Sequence, residues 1–238
     1  MAFPLTHLCV AKRVLDIFED KAHLRTHFIQ TNFLADKRDD EAALFMLGSI
    51  APDAVHYRTE YLGTTQTDIG PAKKITHLCP TSDEKWGKVT DDNGWIECVR
   101  KFLNNHQNNP LASGYAVHVL TDIFNHIGPW RAFTTKYPKE AAKGYNSDYY
   151  RDLKCIDLRL YNEYVKDSNI MQLLASATPQ AITGLVSREE LKAIQHNLLH
   201  VAYANAPKSV DTSNCFYITY DQTLELINKA AEFCAKFF

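Results

Sequence analysis

No stretch of about eighteen apolar residues free of charge occurs in the chain, so the sequence offers no membrane-spanning helix. The N-terminal MAFPLTHLCVAKRVL lacks a basic start followed by a long apolar run, since Lys12 and Arg13 interrupt the segment that would form its core. No secretory signal is expected, and the expected compartment is cytoplasmic. Cysteine is sparse: Cys9, Cys79, Cys98, Cys155, Cys215 and Cys234 are far apart and form no CxxC, which suits reduced thiols better than a disulfide framework or a thiolate zinc site. Only nine glycines and nine prolines are scattered along 238 residues, with no low-complexity linker and no fixed repeat, so one domain over 1–238 is expected. A net charge of −2 with both signs interspersed gives no footprint for a nucleic-acid backbone. No run of alternating strands and no His-Asp dipeptide occurs, which leaves an all-α reading and sets aside an HD-type phosphohydrolase.

What the chain does have is a strongly marked stretch from Asn108 to Trp130, NNPLASGYAVHVLTDIFNHIGPW. Pro110 suits a first helical turn and Gly128-Pro129 reads as a stop. His118, Asp122 and His126 fall at four-residue steps, each turning only about 40° around the axis, so they share one stripe. Apolar side chains cover most of the remaining circumference, and a helix apolar nearly all round is buried. A buried carboxylate beside two imidazoles needs compensation. Either these are satisfied core polar groups, or they hold a metal, for which neutral imidazole and carboxylate are ordinary zinc ligands.

Helices are expected over 5–18, with Thr6 as cap and His7 at the entrance, and over 20–35, carrying the surface pair His23 and His27. A small-residue helix follows over 42–49, placing Asp53 just past its end beyond Pro52, with His56 nearby. Residues 57–83 read as a loop delivering Lys73-Lys74-Ile75-Thr76-His77-Leu78. Further helices are expected over 95–103 and 147–165, the latter with Asp157 on its inner face. The capping box Ser187-Arg188-Glu189-Glu190 opens another helix, through about Ala204, and the last runs over about 221–236. His196 and His200 sit at i, i+4, but Asn197 replaces the glutamate that an HExxH protease requires.

Five elements in order carry a resemblance: Thr6-His7-Leu8, Gly48-Ser49-Ile50-Ala51-Pro52-Asp53, Thr76-His77-Leu78, Gly114-Tyr115-Ala116-Val117-His118 and Leu120-Thr121-Asp122. Over about its first 130 residues the chain resembles the zinc-dependent phospholipase C family. The resemblance implies a compact all-helical domain holding a zinc cluster between its helices, where an ion-activated water attacks a phosphodiester. It implies His7, Asp53, His77, His118 and Asp122 as metal ligands, with Asp122 bridging. Two departures stand out. Secreted members bind metal through a processed N-terminal Trp, where this chain has Met1, Ala2 and Phe3. They also place a His-x-x-x-Glu after the central helix for a third zinc, whereas no His lies between His126 and His196 here. Two zinc ions are therefore expected, with His126 as a substitute ligand by helix spacing.

The function expected is a zinc-dependent phosphoric-ester hydrolase acting by a di-metal-activated water on a small phosphodiester or phospholipid-like substrate. Asp53 is the candidate proton acceptor, and Tyr57, Arg58 and Tyr61 are expected to border the substrate entrance. The alternatives are a non-catalytic helical metal-binding domain, whose ion would be closed off from any cleft, and a single-strand-specific nuclease-like phosphodiesterase.

Overall fold

The computed structural model describes residues 3–24, 35–62, 69–80 and 89–238, and the expected helix carrying His23 and His27 falls largely outside them. The α-helices are α1 (Pro4–Leu24), α2 (Ala35–Gly48), α3 (Gly70–Thr76), α4 (Asp92–Asn105), α5 (Pro110–Asn125) and α6 (Arg131–Lys136). They continue as α7 (Pro138–Ala141), α8 (Asp148–Leu160), α9 (Ile170–Ser176), α10 (Arg188–His200) and α11 (Tyr220–Cys234). Among the described residues the only strand-like pairing is an isolated antiparallel bridge between Ile182 and Val186. None of their helices is long and apolar enough to cross a membrane.

Helix α5 is the axis of the packing. Asn109 caps it by accepting from the Ala112 N–H at 3.1 Å, and Pro110 takes the first turn, where its missing N–H costs nothing. Its residues are buried on every side by α1, α2, α4 and α11. The closest approach is to α2. A Cβ on Gly48 would stand 2.1 Å from the Leu111 carbonyl oxygen, and one on Gly114 would stand 1.9 Å from that of Phe45. Two glycines thus let the backbones of α2 and α5 touch, which sets the height of the α2 C-terminus against the middle of α5.

Several expected boundaries are corrected. Gly128-Pro129 does not stop the chain: α5 widens into a π-turn over His126–Trp130 and continues directly into α6. A wider turn relieves the i−4 bond that proline can neither donate nor fit. Helix α1 runs unbroken to Leu24, with Thr6 inside it and its N–H on the Phe3 carbonyl at 3.0 Å, so Thr6 is not the cap. Helix α2 already includes the charged segment before Ala42. The expected loop over 57–83 contains α3, which starts at Gly70-Pro71, another proline at a helix start. The capping box of α10 is present as expected, with Ser187 and Glu190 bonding each other's backbone N–H at 3.1 and 2.9 Å. A second box, Thr219 with Gln222, opens α11.

Candidate metal centre

Four elements bring the site together. Helix α5 contributes His118 and Asp122, α1 contributes His7, the 3-10 helix Ala51–Tyr57 contributes Asp53, and the end of α3 contributes His77. The 3-10 helix is anchored by Arg58, which donates to Glu190 at 2.6 Å and to the Leu185 carbonyl at 2.7 Å.

Helix α3 stops by a Schellman motif. The Cys79 N–H reaches the Lys74 carbonyl at 2.9 Å, the Leu78 N–H reaches that of Ile75 at 3.1 Å, and Leu78 holds the left-handed φ of 53° usually left to glycine. Trp95 Nε1 then donates to the His77 carbonyl at 2.7 Å, and the Tyr115 hydroxyl donates to that of Thr76. His77 is therefore held at its backbone from two other helices.

The imidazole tautomers follow from the acceptors around them. Nδ1 of His118 faces the Ser49 carbonyl at 2.8 Å, and Nδ1 of His77 faces the Lys73 carbonyl at 2.9 Å. A carbonyl only accepts, so both Nδ1 atoms carry the proton. The two Nε2 atoms then face each other across 3.3 Å. His7 stacks on His118 at 3.6 Å between ring centres, and neither nitrogen of this fully buried ring has a hydrogen-bond partner.

Around these rings stand the carboxylates. Asp122 places Oδ1 3.6 Å from His7 Nε2, and Oδ2 at 3.6 Å from His77 Nε2 and 3.9 Å from His118 Nε2. Asp53 lies 3.5 Å from His77 Nε2 and 4.0 Å from His118 Nε2. The donor atoms of His7, His118 and Asp122 fall within 4.8 Å of one another, and so do those of Asp53, His77 and His118.

Burial pushes both carboxyls up, but their partners win. Lys73, then His77 and His118, hold Asp53 well below the usual carboxylate range, while His7 heads the groups that lower Asp122. Burial depresses His118 well below an ordinary imidazole and also lowers His7, against the pull of the two carboxylates. Ionised carboxylates and neutral imidazoles with inward lone pairs are the ligand forms zinc requires, with the carbonyls behind Nδ1 as the usual outer support. The residues present fit the ion.

Asp53 also belongs to the wall of a cleft of about 230 Å³, with His56, Lys73, Tyr57, Tyr145 and Tyr150. His56, lowered to about 4 by burial and then by Lys73, is neutral and lies 3.9 Å from Asp53.

The other expected residues go elsewhere. His126 is not in the cluster: its Nε2 donates to the Val89 carbonyl at 2.8 Å beside Asp92. Two four-residue steps have carried it about 80° from His118. Asp157, on the inner face of α8, accepts from the Tyr203 hydroxyl at 2.5 Å, a tyrosine hydrogen bond as its place on that face allowed, and His196 and His200 are exposed. Tyr57 lines the cleft as expected, but Arg58 is tied to α10, and Tyr61 packs on Val55, Ile69 and Ala72.

Sequence reasoning passed over Lys73. Its ammonium sits 2.9 Å from Asp53 Oδ1 with its side chain 3 % exposed. The signal was the spacing Lys73 to His77, the same i, i+4 step that joins His118 to Asp122.

The sequence profile of the zinc dependent phospholipase C family matches residues 6–232. The chain belongs to this family. The match extends well past the first 130 residues that carried the resemblance, taking in α8 through α10 and most of α11. Membership in the zinc dependent phospholipase C family makes the chain a metal-dependent phosphoesterase in class, with zinc as the family's ion and phospholipid as its type of substrate. No curated protein and no solved structure matches the chain.

Proposed function

We propose that the chain is a single-domain hydrolase that cleaves a phosphodiester of a phospholipid-like substrate with the help of two zinc ions. His7 and Asp122 would hold one and Asp53 and His77 the other, with the single Nε2 lone pair of His118 available to one of the two and the second oxygen of Asp122 turned toward His77. Zinc in such a site supplies a Lewis acid for phosphoryl oxygens and brings the pKa of water toward neutrality.

The observation that carries this reading is the double membership of Asp53. It is one of the clustered donors and also part of the cleft wall, with its side chain 17 % exposed while those of His7, His77, His118 and Asp122 are 3 % or less. A structural zinc site is closed on all sides, whereas a catalytic one keeps a side open to substrate. Asp53 is ionised, so it has a lone pair for the proton of the attacking water, though its depressed pKa means that it holds that proton weakly. Tyr57, raised by burial and by Asp53, remains a hydrogen-bond donor beside it.

The test is hydrolysis of a short-chain phosphatidylcholine and of bis(p-nitrophenyl) phosphate by protein stripped of metal and reloaded with zinc. Release of phosphocholine or p-nitrophenol that requires zinc and falls by about 100-fold or more in Asp53→Asn is expected. Zinc-loaded, folded protein inert toward both esters would overturn the reading.

A further inference from the structure

Lys73 poses a problem for a site that only stores zinc. Its ammonium lies 2.9 Å from Asp53 Oδ1 in a nearly dry setting. A fixed positive charge against a metal-donor carboxylate repels the metal and competes for the same oxygen, and burial strengthens both effects. Placing the lysine there also incurs desolvation. For metal retention alone the arrangement is a liability.

It becomes an advantage when the occupant of the cleft is an anion. Lys73 is on the cleft wall beside Asp53, His56 and Tyr57. When a cation takes up the charge of Asp53, the hold of that carboxylate on the ammonium weakens while the ammonium stays in place. It is kept there by α3, whose Lys73 carbonyl meanwhile orients His77 through Nδ1. One residue thus fixes a metal-donor ring through its backbone and offers a charge to the cleft through its side chain.

We infer that Lys73 is a phosphate-recognition residue, whose ammonium receives a non-bridging oxygen of the substrate's phosphoryl group at the cleft wall beside Asp53. The inference rests on the phosphodiesterase reading, but it concerns anion binding and can be measured without turnover.

The experiment compares zinc-loaded wild type with Lys73→Met, which keeps the length of the side chain and removes its charge, and with Lys73→Arg. Two quantities are read: zinc affinity by competition with a chromophoric chelator, and the dissociation constant of inorganic phosphate by calorimetry. The expected result is that Lys73→Met holds zinc at least as tightly as wild type and binds phosphate about tenfold or more weakly, the usual value of a charge-assisted hydrogen bond. Lys73→Arg should recover part of the phosphate affinity. Unchanged phosphate binding in Lys73→Met overturns the inference, and so does a loss of zinc from that variant, which would make Lys73 a support for Asp53 alone. If the Met variant fails to fold, Lys73→Gln decides: weaker phosphate binding at unchanged zinc affinity supports the role, and an unchanged phosphate constant rejects it. Phosphate binding that depends on Lys73 in a protein inert toward phosphodiesters would sink the hydrolase reading and leave this one standing. Hydrolysis with phosphate affinity indifferent to Lys73 would do the reverse.

Discussion

His77 and His118 face each other through Nε2 across 3.3 Å, each with its Nδ1 proton committed to a backbone carbonyl. Two ring nitrogens this close, with carboxylates around them, form a place that favours a cation. Zinc bound there would occur in the folded state alone, so stability should be linked to zinc through mass action. At zinc concentrations about 100 times the dissociation constant the native state gains about 2.7 kcal/mol, which for a chain of this size raises Tm by about 5–10 °C. Calorimetric scans with zinc and with chelator check this, and coincident melting curves would count against it.

The Ser49 carbonyl reaches His118 because Gly48 and Gly114 let α2 and α5 touch. Either glycine replaced by alanine puts a methyl group into a backbone carbonyl and must separate the helices. Gly48→Ala and Gly114→Ala should each destabilise by about 1–3 kcal/mol, as overpacking does, and each should weaken zinc binding by moving Ser49 away from His118. Denaturant melts paired with zinc titrations separate the two effects. Normal zinc affinity in a destabilised variant would mean that the Ser49 carbonyl is dispensable.

Asp157 sets a pH dependence of its own. Burial pushes its carboxyl up to about 7 despite the Tyr203 hydroxyl. A pKa raised in the folded state favours the protonated form there, so its contribution is full below the unfolded value near 4 and is lost as pH rises toward 7. Asp157→Asn, which still accepts from Tyr203, should remove this loss, so that its stability relative to wild type rises as pH goes from 4 to 8. Urea melts across pH 4–8 test it, and a gain that does not vary with pH would contradict it.

Arg58 gives a contrast with the cleft residues. Its bonds to Glu190 and the Leu185 carbonyl join the 3-10 helix of Asp53 to α10. Arg58→Ala should cost about 1.5–3 kcal/mol, the range for a hydrogen-bonded charge, and should lower turnover through misplacement of Asp53 more than it changes KM. A rise in KM at constant stability would return Arg58 to the substrate entrance.

What was readable in the sequence follows the reach of each signal. His118 and Asp122 share one helix, so their spacing alone exposed them. His7, Asp53 and His77 come from separate elements whose approach depends on long-range packing, and only the family resemblance joined them to the stripe. The same periodicity misled at His126, because a four-residue step drifts around the axis and the π-turn at Pro129 is invisible to a rule that reads Gly-Pro as a stop. Helix α3 was hidden in a stretch rich in threonine, glycine and proline, and with it Lys73. A lone lysine in such a stretch looks solvated until Asp53 is placed against it. The two-sided capping box of Ser187 with Glu190 is local to the chain and is present as read, whereas the single cap read at Thr6 is not, because α1 starts earlier at Pro4.

The most direct test of the central claim is zinc content by mass spectrometry, on protein purified without chelator or nickel and dialysed after reloading. Wild type should retain about two zinc ions per chain, and Asp122→Asn and His118→Ala, checked for folding by circular dichroism, should each retain fewer. Folded wild type that keeps no zinc after loading, or variants that keep as much as wild type, would contradict the assignment of these buried side chains to a metal centre.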